Sequence, residues 1–272
     1  MRLLRASELS GDALVDVFNA GYSDYLLPMR LTAVAFAEHV AANDIDLECS
    51  RVVLDDQPAA LALIARRDGA GWVGGMATVP GYRRRGLGEQ ALTAGLAALA
   101  DRGATVAWLE VIDQNRRAHA LYEKLGFEVV RDLVVWSLPA RDTDSTQFRA
   151  IDAWSAHAWI RDHRQDREPW QRADESVSAI GARGATLRGL VVDRDGRVAA
   201  TALVRDGDSP AVEALQVVAT DEQAAAELLL AAAGAGRELR FRNVPDGAPA
   251  SLALEHLGAR RIATQHEMRV TL

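Results

Sequence analysis

The sequence predicts an α/β (α+β) protein made of two tandem units, each a mixed, mostly antiparallel central sheet flanked by helices. Three observations carry this expectation. Apolar extended segments come in sets of three joined by turns too short for a crossover, so neighbours within a set must pair antiparallel. Stretches with apolar residues at helical spacing surround each set. The segment "ALYEKLGFEVVRDLVVWSL" also has a counterpart in "LALEHLGARRIATQHEMRV", where Leu125-Gly126 falls on Leu257-Gly258 at an offset of 132 residues.

In the first half a short strand, Arg2 to Arg5, leads to helices near Gly11 to Ala20 and Thr32 to Ala42. Strands follow in LECSRVVLDD, AALALIARRDG and GWVGGMATV, with Asp-Asp-Gln-Pro and Arg-Asp-Gly-Ala-Gly as turns. A helix from about Gly86 to Asp101 stops at Gly103. The strand TVAWLEV, a helix from about Asn115 to Leu125 and the stretch FEVVRDLVVWSL complete the unit. The polar run 139–147 reads as a linker, giving expected domains 1–138 and 148–272. The second half repeats the order. Helices carrying Trp154, Trp159 and Trp170 precede TLRGLVVDRDG, RVAATALVRDG and VEALQVVAT, then the helix DEQAAAELLLAAAG and the strand LRFRNV. The three tryptophans are expected to pack between the copies.

Composition narrows the function classes. Hydrophobic residues at 49% and charged residues at 25% describe an ordinary globular chain. A net charge of −7 speaks against a general nucleic-acid binder. Every apolar run is interrupted before the ~20 residues of a membrane span, and the N-terminus lacks a secretory pattern, so a cytoplasmic location without membrane partners is expected. Cys49 is the single cysteine, which excludes an intrachain disulfide and a cysteine metal cage, and no metal is expected.

The chemistry concentrates at "GYRRRGLGEQ", residues 81–90. A helix N-terminus offers unpaired N–H groups and partial positive charge to an anion, and Gly86 and Gly88 carry no side chain to obstruct it. Arg83, Arg84 and Arg85 add charge beside it. Arginine is, however, this chain's default cation: of 31 basic residues only Lys124 is lysine. A solvated turn, a dinucleotide fold and a seat for another phosphate ligand all remain open on these residues. "GLGEQA" fits G-x-G-x-x-A with Glu110 22 residues after Gly88, but the glycines stand too far beyond their strand, and that strand closes an antiparallel set. In the second half the matching place reads "VATDEQAAAELLL", without the glycine pair or the arginines, and Leu254 stands where the first half has Tyr122.

Taken together, "VPGYRRRGLG" and "NRRAHALYEKLGF" resemble the GNAT superfamily, the Gcn5-related N-acetyltransferases. The first matches its Q/R-x-x-G-x-G/A signature at Arg83, Gly86 and Gly88. The second matches its Asn…Ala…Leu-Tyr-Glu-Lys-x-Gly-Phe pattern at Asn115, Ala118, Leu121, Tyr122, Glu123, Lys124, Gly126 and Phe127. The full resemblance covers residues 1 to about 138, so an intact first copy and a degenerate second copy are expected. It implies acetyl-CoA as cosubstrate, held between GWVGGMATV and TVAWLEV. Its pantetheine would lie along Ala77, Thr78 and Val79, and its pyrophosphate on the amides from about Arg84 through Leu87 to Gly88. Asn115 and Tyr122, two helical turns apart, share a face, and the resemblance assigns Tyr122 as general acid toward the leaving thiolate. The base stays open among Glu110, Asp113, His119 and a water chain. Acetyl transfer to a small-molecule primary amine is the expected reaction, by a monomer or homodimer, with a non-catalytic acyl-CoA-binding module as the alternative. The stretch "FNAGYSDYLLPMRLT", with Phe18, Asn19, Tyr22, Asp24 and Tyr25, is the expected acceptor pocket.

Overall fold

The computed structural model describes all residues except 28, 142–147, 207–210 and 235. Two compact units emerge, one of Met1–Val130 with Glu267–Leu272, the other of Arg131–His266. Residues 142–147 of the expected linker lie outside the described residues.

The first unit runs β1 (Arg2–Arg5), α1 (Gly11–Gly21), α2 (Ala33–Ala42), β2 (Arg51–Leu54), β3 (Pro58–Arg67), β4 (Ala70–Thr78), α3 (Leu87–Ala100), β5 (Val106–Ile112) and α4 (Arg116–Lys124), then enters β6 (Glu128–Leu138). Its strands lie in sequence order from β1 to β5. Pairing is antiparallel from β1 to β4, as the short turns require, and parallel between β4 and β5. The helix α3 between β4 and β5 makes the parallel crossover possible. Residues Ala59 to Ala65 of β3 are all buried, the uninterrupted apolar run of a strand covered on both faces. Leu92 and Leu99 of α3 sit fully buried in the same cluster as Ile64, and removal of each leucine from water contributes about 2 kcal/mol. Met268 joins this core at 0% exposure, and the Leu272 N–H bonds the Thr105 carbonyl at 3.0 Å.

The second unit takes up the chain at Arg131 within β6. It continues through β7 (Arg149–Ile151), α5 (Ala153–His163), α6 (Asp174–Ala182), β8 (Thr186–Arg194), β9 (Arg197–Asp206), β10 (Ala211–Ala219), α7 (Glu222–Ala233), β11 (Glu238–Pro245), α8 (Pro249–His256) and β12 (Arg260–Thr271). The strand order is β12-β6-β11-β10-β9-β8-β7, with β10 and β11 parallel. The expected mixed, mostly antiparallel sheet is therefore present in each unit. Two local details differ from expectation. The three residues of β7 are too few to show alternation, and Trp170 opens a single 3₁₀ turn, Trp170–Arg172, behind Pro169. Trp154 and Trp159 find partners inside their own unit. Trp154 lies against Gly181 and edge-on to His157, and Trp159 stacks on His163 at 3.9 Å.

Candidate active site

The parallel β4–β5 ladder is short. It pairs Ala70 with Val106, Gly71 with Ala107 and Trp72 with Trp108, and then stops. On the other side of β4 the register slips between Leu63 and Ile64, leaving Gly74 as a bulged residue. A bulge bends and twists its strand locally, which turns β4 away from β5 beyond Trp72. The result is a gap in the pairing of two parallel strands beyond Trp72 and Trp108.

The bulge is held from the side. His39 of α2 places Nε2 3.0 Å from the Gly74 carbonyl, and Asn43 Nδ2 stands 3.3 Å from His39 Nδ1. These partners assign a neutral ring that donates from Nε2 and accepts at Nδ1. Burial pushes the His39 pKa down, in keeping with a neutral imidazole.

Beyond the bulge, alternation decides which amides of β4 are available. The Val79 N–H bonds the Ala59 carbonyl at 2.9 Å, so Ala77, two residues back, pairs with Leu61 in the same sense. Met76 and Thr78 turn their main-chain groups the other way. Consistently, the Met76 N–H reaches the Tyr22 hydroxyl at 3.2 Å, and the Thr78 carbonyl accepts Arg83 Nε at 3.0 Å. Of the expected Ala77, Thr78 and Val79, only Thr78 faces away from β3. Met76, missed in the sequence, faces with it, and counting strand parity back from Val79 was the signal that could have found it.

The turn after β4 ends at the N-terminus of α3. Ser10, Thr32 and Asn115 cap α1, α2 and α4 with side-chain oxygens, whereas α3 starts at Gly86 with no side-chain cap. α6 and α8 likewise start without a side-chain cap, at Ala173 and Ala248. Unlike them, α3 follows a turn that carries Arg84 and Arg85 beside its first-turn N–H groups. Gly86 has φ of 74°, a left-handed conformation that glycine adopts without strain. Gly88 answers a different need, because a Cβ there would come within 2.8 Å of Met76 Cε and Thr78 Oγ1. Arg84 and Arg85 are exposed, and Arg85 pairs with Asp55 at 2.8 Å. Arg83 is committed within the protein. Its guanidinium takes the Gly21 carbonyl at 3.1 Å and both Asp24 oxygens at 2.7 and 2.6 Å, and its N–H bonds Pro80. It ties the end of α1 to the turn.

Tyr122 on α4 is 6% exposed and packs against Phe127, with ring centroids 5.8 Å apart. Burial, reinforced by the nearby Tyr22 and Tyr25 phenols, holds its pKa far above the ordinary tyrosine value. Burial likewise pushes Tyr22 up to about 12, although the Met76 N–H pulls the other way. Tyr25 is raised by burial and moderated by a hydrogen bond to Asn115. Three neutral phenols therefore cluster together, with Tyr22 held to β4 through the Met76 N–H. Phe18 and Phe36 extend the aromatic wall, with Phe18 4.5 Å from Tyr22 and 6.0 Å from Phe36. Asn115 itself caps α4 through the Ala118 N–H at 3.3 Å. Among the base candidates, Glu110 Oε2 accepts the Trp72 indole N–H at 2.7 Å, and His119 is buried on α4.

Residues 16–127 match the model of the acetyltransferase (GNAT) family. Over 77 residues the chain is 38% identical to the bS18 ribosomal-protein alanine N-acetyltransferase of Salmonella typhimurium, a stretch covering 28% of this chain and 52% of that protein. Over 56 residues it is 43% identical to the mycothiol acetyltransferase of Corynebacterium aurimucosum, covering 21% of this chain and 18% of that one. The chain thus spans about half the length of the first relative and about a fifth of the second. A solved tandem GNAT protein from the clavulanic acid biosynthesis pathway shares the fold at a TM-score of 0.68 and 14% identity, over 99% of this chain and 98% of that one.

Proposed function

From the membership of residues 16–127 in the GNAT acetyltransferase family, we propose that this chain is an acetyl-CoA-dependent N-acetyltransferase whose first unit acetylates a primary amine on a small molecule. The observation that carries the reading is the conjunction at the end of β4. A strand gap and an uncapped, glycine-opened helix N-terminus stand within one turn of each other. Amides from about Arg84 through Leu87 to Gly88 would hold the pyrophosphate, with the exposed Arg84 and Arg85 guanidiniums adding charge-assisted contacts. Arg83 would serve by fixing the turn. Main-chain groups of Met76 and Thr78 would pair with the pantetheine amides as an added strand does, while Ala77 and Val79 keep that edge in place through β3. Asn115 would close the far side, capping α4 and orienting Tyr25.

In the reaction, the amine nitrogen attacks the thioester carbonyl carbon. The C–S bond then breaks, and the thiolate receives a proton as the ammonium nitrogen loses one. Tyr122 would supply the thiolate's proton. Burial keeps its phenol protonated throughout the neutral range, and the same dry surroundings raise the basicity of the departing thiolate, so the two pKa values move together. The partly exposed Tyr22 and Tyr25, backed by the buried Phe18 and Phe36, would receive the acceptor. The relative named as an alanine N-acetyltransferase supports an amine as the nucleophile. Residues 1–138 would do this chemistry, and residues 148–272 would form a degenerate second domain without the coenzyme A motif.

Calorimetric titration with acetyl-CoA and, separately, NAD(H) is the deciding experiment, followed by release of free thiol in the presence of amines. One acetyl-CoA site per chain with turnover supports the reading. Binding without turnover on any amine would make the chain a non-catalytic acyl-CoA module. For Tyr122→Phe, turnover is expected to fall about 10²-fold or more with acetyl-CoA affinity within threefold, and an unchanged rate would remove the acid role.

A further inference from the structure

The second unit builds the same strand gap and then fills it. The parallel β10–β11 ladder pairs Ala211 to Ala214 with Glu238 to Phe241 and stops there. The β9–β10 register slips between Ala214 and Gln216, making Leu215 the bulged residue, the counterpart of Gly74. In the first unit the bulge carbonyl is met by a neutral histidine. Here the Leu215 carbonyl accepts Arg172 Nε at 2.9 Å. The same guanidinium continues across to β11, where Nη1 donates to the Asn243 carbonyl at 2.9 Å and the Arg242 carbonyl at 3.3 Å. Its Nη2 meets Glu168 Oε2 at 2.8 Å, and its Cζ lies 4.3 Å from the Phe241 ring centroid. Arg172 is 5% exposed and Glu168 is 9% exposed. One side chain therefore bonds both parted strands.

The anion seat is filled as well. The helix α7 follows β10 as α3 follows β4, but its N-cap is Asp221, whose carboxylate accepts the Ala224 N–H at 2.8 Å. Arg194 pairs with that carboxylate in turn, at 3.2 Å. A second anion at this terminus would meet a negative charge already in place.

We propose that Arg172 is an internal substitute for a ligand arm: a strut that holds β10 and β11 apart and, with Asp221 on α7, closes the second unit to coenzyme A. A guanidinium suits the role because its fixed fork of donors can satisfy carbonyls on two strands at once, which an ammonium cannot do from one position. Glu168 balances the buried charge. The strut itself stands on the second unit's geometry. Only the exclusion of coenzyme A rests on the acetyl-CoA reading of the first unit.

The test uses the full chain. Arg172→Ala should lower Tm by about 10 °C, and N-ethylguanidinium chloride at a few millimolar should restore most of that, whereas ethylammonium chloride should not. A wild-type Tm in Arg172→Ala, or equal rescue by both salts, would overturn the strut. Should the alanine variant fail to fold, Arg172→Lys keeps the charge without the fork. Its Tm should stay below wild type, and a full return would overturn the bridging role. For the exclusion, a variant with Gly86→Val and Gly88→Val disables the first-unit turn, and acetyl-CoA should no longer bind. Residual binding of one equivalent would overturn closure of the second unit. No binding by the wild-type chain would instead sink the acetyl-CoA reading and leave the strut to be judged on Tm alone.

Discussion

Tyr122 illustrates how placement sets a side chain's chemistry. A phenol on an exposed helix face titrates near 10, but among buried neighbours the anion loses its hydration, and each nearby phenol adds a further penalty. Tyr22, raised to about 12, obeys the same logic. The consequence for stability has a definite sign. The unfolded chain ionises these tyrosines near pH 10 while the folded chain does not, so stability is insensitive to them below pH 10 and falls as pH rises above it. Absorbance at 295 nm should show at least two of the four tyrosines silent up to about pH 11 and released together on unfolding. Full titration of all four in the folded protein near pH 10 would contradict the buried cluster. Arg83 is the residue-scale correction to expectation. It fits the motif, yet its guanidinium serves Gly21, Thr78 and Asp24, which the spacing of the motif alone does not disclose.

For the elements, the close approach of α3 to β4 is the controlling feature. Gly88 permits it, and a side chain larger than hydrogen must displace Met76 or Thr78. Gly88→Val should destabilise the chain by about 1–3 kcal/mol and, because Thr78 and Met76 border the strand gap, weaken acetyl-CoA binding more than Arg84→Ala does. Chemical denaturation beside calorimetric titration separates the two effects. Wild-type stability and affinity together in Gly88→Val would mean that α3 does not pack as described. Arg84, exposed at the turn, should change stability by less than about 0.5 kcal/mol when replaced by alanine. The helix starts tell a parallel story. Side-chain oxygens close α1, α2, α4, α5 and α7, whereas α3, α6 and α8 begin at Gly86, Ala173 and Ala248 without one. Of these three starts, α3 alone follows an arginine-bearing, glycine-containing turn.

Across the whole molecule, the first unit is not one continuous stretch. Glu267–Leu272 returns to it, and Met268 is fully buried in its core with the Leu272 N–H bonded to Thr105. The first unit's stability therefore depends on the far end of the chain. Met268→Ala should cost about 2–5 kcal/mol and lower the temperature at which the proposed acetyl-CoA site is lost. A substitution that destabilises the chain without touching acetyl-CoA binding at any temperature would place Met268 outside the first unit's core. The expected division into 1–138 and 148–272 followed composition, since a polar run is the usual sign of a boundary. The compact units instead divide inside β6, because a strand can begin in one unit and end in the other without any change in its apolar pattern.

The sequence alone determined the order of strands and helices, the duplication, the antiparallel pairing forced by short turns, and the two motifs that mark the family. Each depends on near neighbours in the chain, where periodicity, glycine and turn length act directly. Tertiary structure decided the rest. Bulges at Gly74 and Leu215 part the strands, and strand parity turns Met76 and Thr78 outward while Ala77 and Val79 face β3. His39 meets one bulge carbonyl and Arg172 the other, across separations of 35 and 43 residues. No local pattern encodes such pairings, because a buried carbonyl takes whichever donor the packed chain brings within hydrogen-bond reach.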